Sequence, residues 1–210
     1  GDDFQINPEQ IELRYFGVLT KIFNVGRFAS QFDFDGDLDT VPEHLENEDK
    51  WILAEFSDLL EKAETGYSEM DIYTAAQGIK TFSTNILASH WLEMAKTRLY
   101  NDDASATWTL HRVFRDMMSI LSPVCPFFTH HLSTTLYGKS AVDVDVFPER
   151  PITETSEFTK MTDSLIEFNS LVWKAKKDSG VSLAAPISGH KVPAELSSIE
   201  NALVSMHKLE

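Results

Sequence analysis

His130 and His131 are the side chains that first suggest metal chemistry in this chain of 210 residues. Neighbouring side chains on a helix point about 100° apart, so the two rings cannot share an ion. The seven histidines are otherwise scattered, and no Glu-x-x-His pair occurs, which removes a di-metal carboxylate bundle. Cys125 is the single cysteine; it excludes an internal disulfide and a cysteine zinc site, and suits a small core residue in a reducing cytoplasm. Neither a glycine-rich phosphate loop nor a Gly-x-Ser-x-Gly elbow is present. No catalytic residue and no metal is expected in the chain itself.

A different chemistry is suggested near the start. Gly17, Thr20, Asn24, Arg27 and Gln31 recur at spacings of three and four, which gathers them in one narrow sector of a helix. The row has no carboxylate, one cation and two amides, groups suited to base edges and phosphates. Composition alone favours the plainer alternative, a solvated helix face. Trp91, Glu93, Lys96 and Arg98 form a second cluster, either a phosphate site or a core tryptophan flanked by surface ion pairs. Lys174, Lys176 and Lys177 form a third.

The net charge of -15 argues against a polyanionic partner at first sight. Its distribution weakens the objection. Asp33, Asp35, Asp37, Asp39, Glu43, Glu46, Glu48 and Asp49 fall in one stretch without Lys or Arg, while the basic residues cluster elsewhere. Separated basic clusters permit a polyanion site without requiring one. No apolar run approaches the roughly 18–20 residues of a membrane span, and no signal peptide opens the chain, so no membrane partner is expected. The start at Gly1 and the ending Leu209-Glu210, a pair typical of a cloning remnant, suggest a piece excised from a longer chain.

These residues need helices to position them. Asn7-Pro8-Glu9-Gln10 has the form of a helix start, followed by an apolar stripe through Ile11, Tyr15, Val18, Ile22, Val25 and Ala29. After the acidic connector, helices are predicted from near Asn47 to Gly66, from Asp71 to about Tyr100, from around Ala104 to Pro123, and from Pro126 to Gly138. Val142–Val146 alternates strictly, predicting one short edge strand. A last long helix runs from Thr153 or Ser156 to Gly180, and Pro193-Ala194-Glu195-Leu196 opens a final short one. The predicted fold is all-α, an antiparallel helical bundle over residues 1–150 with a C-terminal helix and tail, residues 151–210, packed on it.

Five segments carry a resemblance. Residues 21–28, Lys-Ile-Phe-Asn-Val-Gly-Arg-Phe, resemble the Lys-x-Trp-Asn-x-x-Arg-Phe motif that opens the anticodon-binding domain of the valyl, isoleucyl and leucyl class I aminoacyl-tRNA synthetases. Residues 49–53, Asp-Lys-Trp-Ile-Leu, resemble that family's Asp-Arg-Trp-Ile-Leu. Residues 91–100, Trp-Leu-Glu-Met-Ala-Lys-Thr-Arg-Leu-Tyr, are similar to the valyl Trp-Tyr-Ile-Glu-x-x-Lys-x-Arg-Leu. Residues 121–128 match a Leu-x-Pro-x-x-Pro-His/Phe-x element, followed by Val146-Phe147-Pro148 in the place of a Trp-Pro. Residues 174–186 resemble the valyl Arg-x-x-Lys-x-x-x-Gly-x-Ser-Leu-x-x-Pro. Gly26 and Leu92 depart from the usual Ala or Ser and the usual Tyr. Lys160-Met161-Thr162-Asp163-Ser164 echoes the Lys-Met-Ser-Lys-Ser loop of this class but lacks its second lysine and lies in a helical pattern, so it carries no weight.

The resemblance, most like the archaeal-type valyl branch, implies a non-catalytic fragment that binds the tRNA anticodon stem and loop. The parent would be an aminoacyl-tRNA ligase using ATP and Mg2+ on a separate catalytic domain, which becomes the fragment's second partner. Thr20, Asn24, Arg27 and Gln31 would then face the anticodon, with Lys96, Arg98, Lys174, Lys176 and Lys177 on phosphates. Two readings stay beside this one: the same domain of an isoleucyl or leucyl enzyme, and a helical protein–protein adaptor whose acidic loop docks a basic partner.

Overall fold

A computed structural model describes residues 16–140 and 147–210, so the Asn7–Gln10 helix start, Ile11, Tyr15 and the Val142–Val146 strand lie outside the described residues. Within them the chain is a layered set of helices. Helix α1, Gly17–Ala29, buries Ile22, Val25, Gly26 and Ala29. Helix α2, Asn47–Ser68, is nearly encircled by neighbours and buries Trp51, Ile52, Leu53, Phe56 and Leu60. Helix α3, Ile72–Thr81, starts where the Asp71 side chain accepts from the Thr74 N–H, satisfying one of the unpaired first-turn donors.

The predicted helix from Asp71 to Tyr100 is one continuous rod with a changed pitch in its middle. Residues Phe82–Trp91 form a π-helix, and α-helical geometry resumes as α4, Leu92–Leu99. Ten residues of i→i+5 turns are unusual. Hydroxyls stabilise the widened ladder: Thr84 donates to the Lys80 carbonyl and Ser89 to the Thr84 carbonyl five residues back. Asp103 then caps α5, Ala104–Leu121, through the Ala106 N–H. Helix α6, Pro126–Tyr137, has proline in its first turn and ends on Gly138 at φ 65°, a left-handed position that glycine adopts without strain. Short connections make α2 and α3, and α5 and α6, antiparallel neighbours in contact.

The expected single helix from Ser156 to Gly180 is broken. Helix α7, Ser156–Thr159, and helix α8, Thr162–Asp178, are separated at Lys160-Met161. The break lets Thr162 turn inward, where its hydroxyl accepts from Trp51 Nε1 at 2.8 Å and donates to Glu55. A 3-10 segment, Ala194–Ile199, leads into α9, Glu200–His207, which rests on α4. Ile187 and Leu209 form an isolated parallel bridge beside it.

A buried polar chain fastens this tail. His90 of the π segment shares a hydrogen bond with Asn169 of α8 at 2.9 Å, and Asn169 Oδ1 pairs with His207 Nε2 at 2.7 Å. Lys176, completely buried, donates to the carbonyls of Leu183 and His207. Burial, and then the charges of Lys176, His190 and His90, push the His207 imidazole down to about 4. The unfolded chain takes up this proton near 6.5, so between the two values it binds more protons than the folded chain. The contribution of His207 to stability is therefore complete above about pH 6.5 and falls by on the order of 2–3 kcal/mol as pH drops towards 4. Urea titrations at about pH 7 and about pH 5 should show the loss, and His207→Gln should lessen its pH dependence.

Gly26 explains one departure from the family pattern. A Cβ there would lie 2.7 Å from the Phe114 ring of α5 and 3.5 Å from Leu132 of α6. The rigid, fully buried phenyl already occupies the space that an alanine needs. Gly26→Ala should gain about 1 kcal/mol of helix propensity but lose about 1–3 kcal/mol to overpacking, a net destabilisation. In a Phe114→Leu background the same change should be neutral or stabilising, as read by urea denaturation.

Candidate nucleic-acid interface

The basic residues of this chain divide into two populations. Arg98 is held by carboxylates: Nη2 lies 2.6 Å and Nη1 3.0 Å from Asp49, with Asp103 and Glu48 each at 3.0 Å. Asp49 is completely buried in the first turn of α2 and also accepts from Trp91 Nε1 and from the Ser105 hydroxyl. Burial alone would lower the Arg98 pKa, but the hydrogen bonds it donates to Asp49 and Asp103 outweigh it and hold the guanidinium protonated. Of the second sequence cluster, then, Trp91 is core, Lys96 pairs with Glu93 on the surface, and Arg98 is an internal tie. The expected phosphate contact of Arg98 gives way to this role, because its donors are already used.

Arg112 and Arg115 are committed in the same way. Arg112, nearly fully buried, pairs with Asp116 and donates to the carbonyls of Leu38, Asp39 and Glu149; Arg115 bridges Asp116 and Asp39. Together with Trp108 on the Asp37 carbonyl and His111 on the Phe32 carbonyl, they strap the acidic connector onto α5. Lys176 is likewise turned inward, so its expected phosphate role is replaced by the clamp on the tail.

The second population faces water. Thr20, Asn24, Arg27 and Gln31 are all exposed, and none of them makes an ion pair among the described residues. Thr20, Asn24 and Arg27 lie on α1, whereas Gln31 sits in the turn just past its end. The Thr20 hydroxyl donates to the Phe16 carbonyl, leaving its lone pairs to accept. Residues 16–32 contain no Asp or Glu, so the row is flanked by Lys21 and by exposed Phe16 and Phe23 rather than by carboxylates. Lys174 and Lys177 are exposed in the last turns of α8, which is anchored to the π segment and tail rather than to α1. The structure thus brings the α1 residues together and leaves the α8 lysines as a separate patch.

This geometry offers hydrogen-bonding groups and positive charge along one open helix. A sequence profile of the anticodon-binding domain of tRNA ligases matches residues 49–191. The chain belongs to this anticodon-binding domain family. Its relatives include the valine–tRNA ligases of Saccharolobus solfataricus, 31% identical over 90% of this chain and 22% of that protein, and of Pyrobaculum aerophilum, 31% identical over 100% and 26%. That of Nanoarchaeum equitans is 27% identical over 100% of this chain and 27% of its own length. The chain therefore spans about a quarter of the relatives it matches.

Within this domain the second and third resembling motifs are one structure. Asp49 belongs to the Asp-Lys-Trp-Ile-Leu segment and Trp91 and Arg98 to the next, and they bond to each other. Sequence reasoning did not single out Asp49 as a binding partner, and a signal existed: an acid in a first turn next to a core tryptophan. Arg98→Ala should leave the Asp49 charge buried without its counterion and cost about 3–5 kcal/mol. In urea denaturation the Arg98→Ala/Asp49→Asn double variant should lose less than the sum of the single losses. An Arg98 that merely met phosphate would leave stability unmoved.

Proposed function

We propose that this domain binds the anticodon stem and loop of a tRNA, with Asn24 and Arg27 of α1 on loop bases or their backbone and Thr20 and Gln31 beside them. The parent protein in this reading is a valine–tRNA ligase of the cytoplasm, whose catalytic domain is the fragment's other partner. ATP and Mg2+ would serve the parent on that domain, whereas the α1 row and the α8 lysines act on RNA. The observation that carries the reading is the exposed, carboxylate-free α1 row with Arg27 unpaired among the described residues, in a chain of net charge -15. Residues 16–32 bring no carboxylate of their own to an approaching anion.

Splayed loop bases need donors and acceptors at hydrogen-bonding distance, while the adjoining phosphates need cations. Arg27 supplies both kinds of contact, and Asn24, one turn before it, supplies an amide that can pair with a base edge. Lys174 and Lys177 reach phosphates further along the RNA in this reading, and Lys96 does so only by leaving Glu93. In the adaptor alternative the exposed carboxylates of the connector would dock a basic partner; α5 holds that connector chiefly by its backbone carbonyls, with Arg115 taking up the Asp39 carboxylate.

With few free cations the domain should bind tRNA weakly and with a shallow salt dependence. Arg27→Ala should lose about 1–3 kcal/mol of affinity if Arg27 reads a base, and should reduce the log–log salt slope by roughly 0.7–0.9 if it neutralises a phosphate. Titrations of labelled tRNA at low and moderate salt read both effects. Equal affinity and slope for the two proteins would overturn the assignment of α1.

A further inference from the structure

The solvent face of α6 is unlike the rest of this acidic surface. Residues 117–140 contain no Asp or Glu, and neither do residues 16–32. Helices α1 and α6 lie against each other, with Leu132 beside Gly26. Two touching helices therefore present an area with no carboxylate of their own. Phe127 stands on it 90% exposed, the most exposed large hydrophobic among the described residues. The next residue, Phe128, packs against the core, so the fold has no use for the Phe127 ring. Exposed His131, four residues on, shares the Phe127 sector.

The α1 side of this area also carries a ring. Phe23 is 40% exposed. Around the helix it falls between Arg27 and Gly26, about 60° from the glycine that faces α6. The aromatic edge of the polar row is therefore the edge nearest α6.

We propose that α6 is the second wall of the RNA site and that Phe127, with Phe23, stacks on unpaired bases of the bound loop. The proposal rests on the RNA-binding reading of α1 and gives a role to Phe23 and Phe127, which stand at the Trp and His/Phe positions of the motifs at residues 21–28 and 121–128. Its occupant is single-stranded, because a duplex hides the base faces that a phenyl ring would cover. Charge supports an anionic partner: Arg27 stands beside Phe23, and neither α1 nor α6 brings a carboxylate of its own to this area. An apolar protein surface would fit the rings but would leave the Arg27 guanidinium without a counter-charge.

The test uses the intact chain and a synthetic RNA hairpin carrying 2-aminopurine in its loop, whose fluorescence is quenched by stacking. Phe127→Leu should weaken hairpin binding roughly tenfold and lift the quenching, while Phe127→Tyr should keep both. Binding of a blunt RNA duplex with the same stem should not respond to either change. If Phe127→Leu binds and quenches like the wild type while Arg27→Ala binds poorly, α6 lies outside the site and the proposal falls, with the α1 reading intact. If neither variant differs from the wild type, both readings fall together.

Discussion

The pairing of Arg98 with the buried Asp49 carboxylate is the constraint on which the bundle depends. A charge with no access to water is tolerated only where its lone pairs are filled, and here the guanidinium, an indole N–H and a hydroxyl fill them. Meeting that demand fixes three helix ends at one point. Asp49 sits in the first turn of α2, Arg98 at the end of α4, and Asp103, which also holds Arg98, caps α5. The acids stand at helix N-termini and the arginine near a C-terminus, so the helix dipoles favour the same arrangement. Ion pairing, capping and dipole thus agree on a single packing.

That arrangement has a consequence for function. The arginines of α4 and α5 are used to hold carboxylates and connector carbonyls, so in a chain of charge -15 they are not offered to a polyanion. What remains for a polyanion is a small set of cations placed where no acid competes. Position relative to carboxylates, rather than total charge, decides whether a phosphate is welcome. The same logic separates Lys174 and Lys177 from Lys176, which lies between them in sequence yet points into the tail.

Much of the fold was legible because caps and periodicity are local. Asp71, Pro126, Gly138 and Gly180 mark helix ends through backbone chemistry that a single residue announces. The π segment was not legible, since a short apolar pattern does not separate the α pitch from the wider π pitch. Nor was the break at Lys160-Met161, beside which Thr162 meets Trp51 more than a hundred residues away. The candidate site divides along the same line. The α1 row could be seen because its spacing is helical and its partners are solvent. Arg98 and Lys176 could not be sorted from surface cations, because what distinguishes them is a long-range partner: a carboxylate at position 49 and a carbonyl at position 207.

The π segment links these observations. In an α-helix His90 and Trp91 would diverge by about 100°; the wider turn also changes the direction in which each leaves the rod. Here Trp91 reaches Asp49 at the core of the bundle, while His90 reaches Asn169 and, through it, His207 of the tail. Helix α1 packs on the same segment. One irregular stretch thus touches the charge node, the tail clamp and the underside of the helix that carries the open row. Two adjacent residues of one rod thus meet two separate buried polar demands, Trp91 that of Asp49 and His90 that of Asn169, and so tie the bundle to its tail.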